Sequence, residues 1–408
     1  MSFLQMERVV ITGLGAVSGF GLGCEPLWTN LSKGQSALLP VQRKFEDQEI
    51  NVYASLVPDY IPQHHFNNSA LVLADPFAQY AAIAAREAMQ EAGFVKPLKH
   101  PKRSAIILGT GEGGSQSREE ALLKLYHLRK KMHPMTVPRI NQQASVSLVS
   151  EEFGITGPCF SVSSGCTSSA HAMAQTWLMI KHGMLDMAIT GGSEACVQFG
   201  FLSGFNALQV AAKEPCSPFS LGRSGMSLGE GAGILVIESL SSAKARNSKI
   251  LGEIAGIGMT SDATNSLHPT INGPAQAMRD AMLCAHLVPD EIGYINAHGT
   301  GTIANDAAEA AAINLVFGNT PPLVSSTKSM HGHTIGAAAS MELIATVLAL
   351  KNQLLPPTAN FLTADPQCAL DCIPNQPRRH EFKACLSNSF AFGGLNAVVA
   401  IKQYIPEE

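Results

Sequence analysis

One cysteine, two histidines and a lysine of this chain stand in short runs of small and glycine residues, a setting that leaves side chains room to react. Cys166 lies in "FSVSSGCTSSAHAM" (160–173), directly before the helix-compatible run Thr167 to His182, whose free N–H groups and dipole would stabilise a thiolate. His298 closes the apolar strand of "GYINAHGTGT", and the glycines after it let a substrate approach the backbone. "SSTKSMHGH" supplies Lys328, His331 and His333 in one loop, ahead of a helix that is apolar nearly all round. In "SNSFAFGGLNA" a turn of Phe392, Gly393 and Gly394 follows the strand "KACLS", and its backbone N–H groups can face an oxyanion. Taken singly, each cluster has a plain structural reading. A free cysteine packs as a small apolar residue, a histidine after a strand is satisfied by its neighbours, glycines make tight turns, and His331-x-His333 lacks further spaced ligands for a metal. Taken together, a thiol, two histidines, a lysine and an oxyanion-type turn are what carbon-centred acyl transfer needs.

The elements that must position them repeat along the chain. "RVVITGLGAVSGFG" reads as a buried strand leading into a glycine-rich loop, and "GEIAGIGMTSDATN" repeats it weakly from Gly252. Helical "AQYAAIAAREAMQEAG" matches "AQAMRDAMLCAHLVPDEIG", and "SAIILGTGEGG" matches "GYINAHGTGT". The Cys166 segment then matches "LVSSTKSMHGHTIGAAASMELIATVLAL", and "MLDMAITGGSEA" matches "FKACLSNSFAFGGLNAVVAI". Two α/β halves, 1–250 and 251–408, are expected to pack about a pseudo-twofold axis. Loops at the carboxyl ends of strands in both halves then converge on one site.

Composition narrows the function classes. The 408 residues carry a formal net charge of -4, which gives no global field for nucleic acid or an anionic membrane. Nine scattered cysteines without a CxxC pair argue against a disulfide framework or a structural metal, and point to a reduced, cytoplasmic protein. No basic-then-apolar leader opens the chain, and no uninterrupted apolar run reaches the ~18 residues of a membrane span. "TGLGAVSGFG" does not keep the GxGxxG spacing of a dinucleotide site and has no matching acidic residue, so an oxidoreductase is set aside.

From about Glu7 to Tyr404 the chain resembles the decarboxylating β-ketoacyl-acyl-carrier-protein synthases of fatty acid and type II polyketide synthesis. The resemblance implies a thiolase-like α/β fold of two similar halves in a five-layer αβαβα arrangement, and a dimer. It makes Cys166 the nucleophile, His298 and His333 the active-site histidine pair, Lys328 the accompanying lysine and Glu342 the acid on the following helix. Phe392 in "FAFGG" matches the gating phenylalanine, whose N–H serves the oxyanion with that of Cys166, and Thr300 and Thr302 match threonines that hold the phosphopantetheine arm. That arm arrives on an acyl carrier protein, and no cofactor or metal is implied in the chain itself. "CLSNSFAFGG" lacks the second catalytic cysteine of degradative thiolases, and His333 stands where type III synthases have asparagine.

Three departures bear on the substrate. "GTGEGG" puts Glu112 where related acyl-pocket loops carry a small or apolar residue, which makes the pocket short or polar unless the carboxylate turns aside. "NNSALVLADPFAQY" has no lysine or arginine for carrier docking, which shifts that role to Arg129, Lys130 and Lys131 of "LRKKMHPM", or to Arg223. His331 replaces a usual small residue beside His333. The chain is therefore expected to act as a homodimer, or as one subunit of a heterodimer with a chain-length-factor-like partner, catalytic or only pocket-shaping.

Overall fold

The computed structural model describes residues 6–406. Eleven strands build its large sheet, the short strand Gly21–Leu22 pairing beside the first of ten that lie along one path: β1 (Val9–Ser18), β2 (Ser104–Gly109), β3 (Cys159–Val162), β4 (Met187–Glu194), β5 (Gly231–Ser239), β6 (Gly252–Ser261), β7 (Ile292–Asn296), β8 (Leu323–Ser325), β9 (Ala384–Ala391) and β10 (Leu395–Lys402). Their order is β8-β7-β9-β10-β6-β1-β5-β4-β2-β3. Walking outward from the central β1/β6 seam gives β1-β5-β4-β2-β3 on one side and β6-β10-β9-β7-β8 on the other, the same path in both halves. The sense of pairing repeats too. β5 is antiparallel to β1 and β4, as β10 is to β6 and β9, while β2 is parallel to β4 and β3, as β7 is to β9 and β8. The halves join where Val10 and Ile11 face Glu253 and Gly252.

Helices α1 (Pro76–Glu91), α2 (Ser168–Lys181), α3 (Asn272–Cys284), α4 (Ile303–Phe317) and α5 (Ala338–Asn352) cover and separate the two halves of this sheet. α1 packs on β1, β5 and β4, and α3 on β6 and β10. α2 and α5 touch strands of both halves and each other, so they form the middle layer of an αβαβα stack. A middle-layer helix has no solvent side, which is why α5 is buried from Ala338 through Leu350 and reads as apolar all round. With the turn before it, Ile335–Asn352 has the length and apolarity of a membrane span, yet 89% of it is buried inside the fold. Charged side chains interrupt it, so the sequence shows no unbroken apolar run there.

The glycine-rich segment after Arg8 is strand, not loop. β1 runs through it, and a Cβ on Gly13 would lie 2.0 Å from the Ala88 carbonyl oxygen, one on Gly15 1.9 Å from that of Ala84. Gly256 and Gly258 of β6 repeat the contact, at 2.4 Å and 2.0 Å from the carbonyls of Ala281 and Ala277 of α3. These glycines let an outer helix approach its strand; no phosphate cradle is formed. Asp75 fixes where α1 begins, accepting the Phe77 N–H ahead of Pro76 at the first helical position.

Candidate active site

Corresponding loops of the two halves meet at the carboxyl ends of the parallel strands. Cys166 sits in the turn Gly165–Thr167 between β3 and α2, with Gly165 at φ 62° turning the chain. His298 follows β7, Lys328 and His331 form a single helical turn after β8, and His333 comes two residues later. Phe392, Gly393 and Gly394 close the β9–β10 hairpin, where φ of 91° and 73° at the two glycines would strain any other residue. Cys166, His298, His333, Phe392, Thr300 and Thr302 line one cavity. The two threonine hydroxyls are 3.0 Å apart at its side.

The hydrogen bonds assign the histidine tautomers. The Ile335 N–H donates to Nδ1 of His333 at 3.1 Å, so the ring proton is on Nε2, which lies 3.1 Å from Sγ of Cys166. Lys328 Nζ donates to Nδ1 of His298 at 3.2 Å and to its carbonyl at 2.6 Å, which leaves the His298 proton on Nε2 as well. The rings stand edge to face, 5.4 Å between centroids. Ligand atoms of Cys166, His298 and His333 come within 4.8 Å of one another, a spacing a metal ion could bridge. A metal needs the imidazole lone pair, however, and donors on both Nδ1 atoms hold the N–H inward. The arrangement is built to donate hydrogen bonds to an anion.

Burial and charge set the protonation states. Burial, then the Lys328 cation, hold His298 and His333 well below the usual histidine range, so both are neutral donors. Burial pushes the Cys166 thiol up to about 12, against the pull of Lys328 and of the residue's own N–H. The helix N-terminus alone therefore does not free a thiolate; the His333 N–H aimed at the sulfur is a further group that favours it. Lys328 is ion-paired with Glu342, and both side chains are buried. Burial pushes Glu342 up to about 7 while Lys328 draws it down, as expected for a partner whose task is to hold a buried ammonium.

Two carboxylates at the site carry no motif and are legible only in three dimensions. Glu309 on α4 accepts the N–H groups of His298 at 2.9 Å and Gly299 at 2.7 Å, and an amide N–H of Asn388, which fixes the His298 loop. Glu194 accepts from Gly111, Glu112 and Gly336. Their signal in the sequence is an acid among small and apolar residues, "TGGSEACV" and "NDAAEAAAINLV".

Other expected residues fall elsewhere. Arg223 is not a docking residue. It is 4% exposed, ion-paired with Asp365 and with Asp306 at 3.5 Å, and donates to the carbonyls of Ser220, Thr302 and Ile303, so its guanidinium is consumed by the fold. Glu112 does not line the cavity at Cys166. Its carboxylate turns to Arg118, 3.3 Å away, in an open groove with Tyr126 and Phe201, which removes the cost of burying it. His331 stays apart from His333: its Nδ1–H donates to the Gly332 carbonyl and its Nε2 accepts from Thr327, and burial draws it down to about 3. Arg129, Lys130 and Lys131 are exposed.

Comparison with known proteins agrees with the geometry. The β-ketoacyl synthase N-terminal domain matches residues 6–243 and the C-terminal domain residues 251–362. Nodulation protein E of Rhizobium leguminosarum bv. trifolii is 42% identical over 401 residues, 97% of this chain and 99% of the relative. The 3-oxoacyl-[acyl-carrier-protein] synthase 2 of Staphylococcus aureus (strain COL) is 35% identical over 411 residues, 98% of this chain and 99% of the relative. Among solved structures, a chain of the ishigamide ketosynthase/chain length factor superposes with a TM-score of 0.93 at 34% identity, covering 98% of this chain and all of that one.

Proposed function

The chain belongs to the β-ketoacyl synthase family, and from that premise we propose that it joins a malonyl unit to an acyl group held on Cys166, both brought by an acyl carrier protein. It is a ketosynthase of the thiolase-like fold, an acyltransferase of class EC 2.3.1. The observation that carries the mechanistic reading is the pair of imidazoles whose protonated nitrogens face one cavity with Cys166, with His333 Nε2 3.1 Å from the sulfur.

In the first half-reaction the Cys166 sulfur attacks the carrier thioester, a new C–S bond forms, and the carrier thiol leaves with the proton that Cys166 gave up. The malonyl thioester then loses carbon dioxide, and the electron pair of the broken C–C bond passes into an enolate. An enolate oxygen needs donors that are strong yet not acidic enough to quench the carbon, and neutral imidazole N–H groups on His298 and His333 meet that demand. The carbon attacks the acyl-Cys166 carbonyl, the oxyanion is held by the N–H groups of Cys166 and Phe392, and collapse returns the thiolate. One such donor is worth roughly 3 kcal/mol of barrier. Lys328, already donating to His298, orients and supplies positive charge; it does not accept the proton. No cofactor enters these steps, and Thr300 and Thr302 would hold the phosphopantetheine arm.

Cys166 and its histidine pair favour the catalytic subunit over a pocket-shaping one. A dimer is supported by edge strand β3 with Phe160, and by exposed Leu122, Tyr126, Leu128 and Val137 on a single segment. The ishigamide relative suggests a chain-length-factor-like partner as the alternative to a second copy. Nine unpaired cysteines fit the cytoplasm. Intact-mass analysis with a ladder of acyl carriers tests the reading: an acyl adduct should form on the parent and not on Cys166→Ala, and equal loading of both would overturn it.

A further inference from the structure

Glu194 touches no reacting atom, yet its buried carboxylate ties both halves of the site together. One oxygen, Oε2, accepts the N–H groups of Gly111 at 2.6 Å and Gly336 at 3.1 Å. The other accepts the Glu112 N–H at 3.2 Å and the Thr110 hydroxyl at 3.3 Å. Gly336 follows Ile335, a β-branched residue at φ 42°, a conformation such side chains adopt only when their surroundings impose it. Ile335 is also the residue whose N–H keeps Nδ1 of His333 unprotonated. The packing leaves no slack around it. A Cβ on Gly336 would lie 2.2 Å from the Gly111 nitrogen, and one on Gly111 2.8 Å from Cγ2 of Ile335.

We propose that Glu194 is a positioning residue: by pinning Gly336 against the Thr110–Glu112 loop it holds Ile335 in its left-handed conformation, and thereby keeps the His333 Nε2–H on Cys166. The chain of contacts runs from Glu194 to the Gly336 N–H, through the Ile335 backbone, to Nδ1 of His333 and on to the sulfur. Because the same carboxylate grips the loop that bears Glu112, a shift of that loop is felt at His333. This inference rests on the reading of His333 as the partner of Cys166.

The test is Glu194→Gln, which puts an amide donor where two N–H groups converge. Three readouts apply: alkylation of Cys166 by iodoacetamide near neutral pH, kcat against KM for a malonyl carrier, and thermal unfolding. Alkylation and kcat should each fall roughly tenfold, the scale of one lost hydrogen bond to a charged group, while KM stays within about twofold and the protein remains folded. His333→Ala is the control. If it alkylates as the parent does, the reading of His333 fails; if it is impaired while Glu194→Gln behaves as the parent, the positioning role fails. A change confined to stability also overturns the proposal. Should Glu194→Gln not fold, Thr110→Val, which removes one donor, decides: reduced alkylation supports the role, and parental alkylation overturns it.

Discussion

Replacing His333 by alanine separates two things an imidazole can do beside a buried thiol. In the structure its Nε2–H points at Sγ of Cys166 from 3.1 Å, and Cys166 is 7% exposed. A hydrogen bond to a charged acceptor contributes about 1.5–3 kcal/mol, and one pKa unit corresponds to about 1.36 kcal/mol. Losing it should therefore raise the Cys166 thiol by about one to two units. At any pH below the parental value the thiolate fraction, and with it the rate of alkylation by iodoacetamide, should drop about 10- to 100-fold. The assay is a pH series followed by mass spectrometry, with peptide mapping to separate Cys166 from the other eight of the nine cysteines. If the imidazole served mainly to exclude water, its removal would hydrate the sulfur, lower its pKa and speed the reaction. Alkylation of His333→Ala at the parental rate or faster would refute the assignment of Nε2–H as a donor.

Arg223→Met should destabilise the protein by about 3–5 kcal/mol, because Asp306 and Asp365 lose their buried partner; thermal unfolding measures this, whereas a docking role would raise KM for the carrier and spare stability. Gly13→Ala and its counterpart Gly256→Ala should each cost about 1–3 kcal/mol by forcing a helix off its strand, read by chemical unfolding. Glu309, whose carboxyl burial pushes up from 4.5 to about 7, keeps a proton in the folded state that the unfolded chain has lost. The stability this contributes is complete below pH 4.5 and is lost as pH rises through 7, a decline of about 3 kcal/mol in all. Glu309→Gln should flatten that decline, and an unchanged pH dependence of unfolding would count against the buried acid.

The duplication was legible because each half repeats strand and helix patterns in one order, and the fold realises it as one strand path walked twice. Cys166, His298, Lys328 and His333 could be found because glycines and small residues set them apart from packing positions. Exposure and charge pairing could not be read in the same way. Arg223 looks like any surface arginine until Asp306 and Asp365, distant in sequence, close on it. Glu112 looks like a pocket residue until Arg118, in the first turn of the helix that follows, draws it aside. Glu194 and Glu309 are single acids in plain surroundings, and their importance comes from backbone N–H groups that only the folded loops supply. The glycines of β1 signal a loop by composition, but serve the close approach of α1.

The central claim is that Cys166 carries the acyl chain through a decarboxylative condensation. It is tested most directly by supplying acyl carrier and malonyl carrier together and following both the protein and the product by mass. The account predicts an acyl adduct on Cys166 that is consumed as malonyl carrier is added, with a β-ketoacyl carrier two carbons longer appearing in step, and neither species with Cys166→Ala. Product formation that persists in Cys166→Ala, or that proceeds in the parent without the adduct, would contradict it.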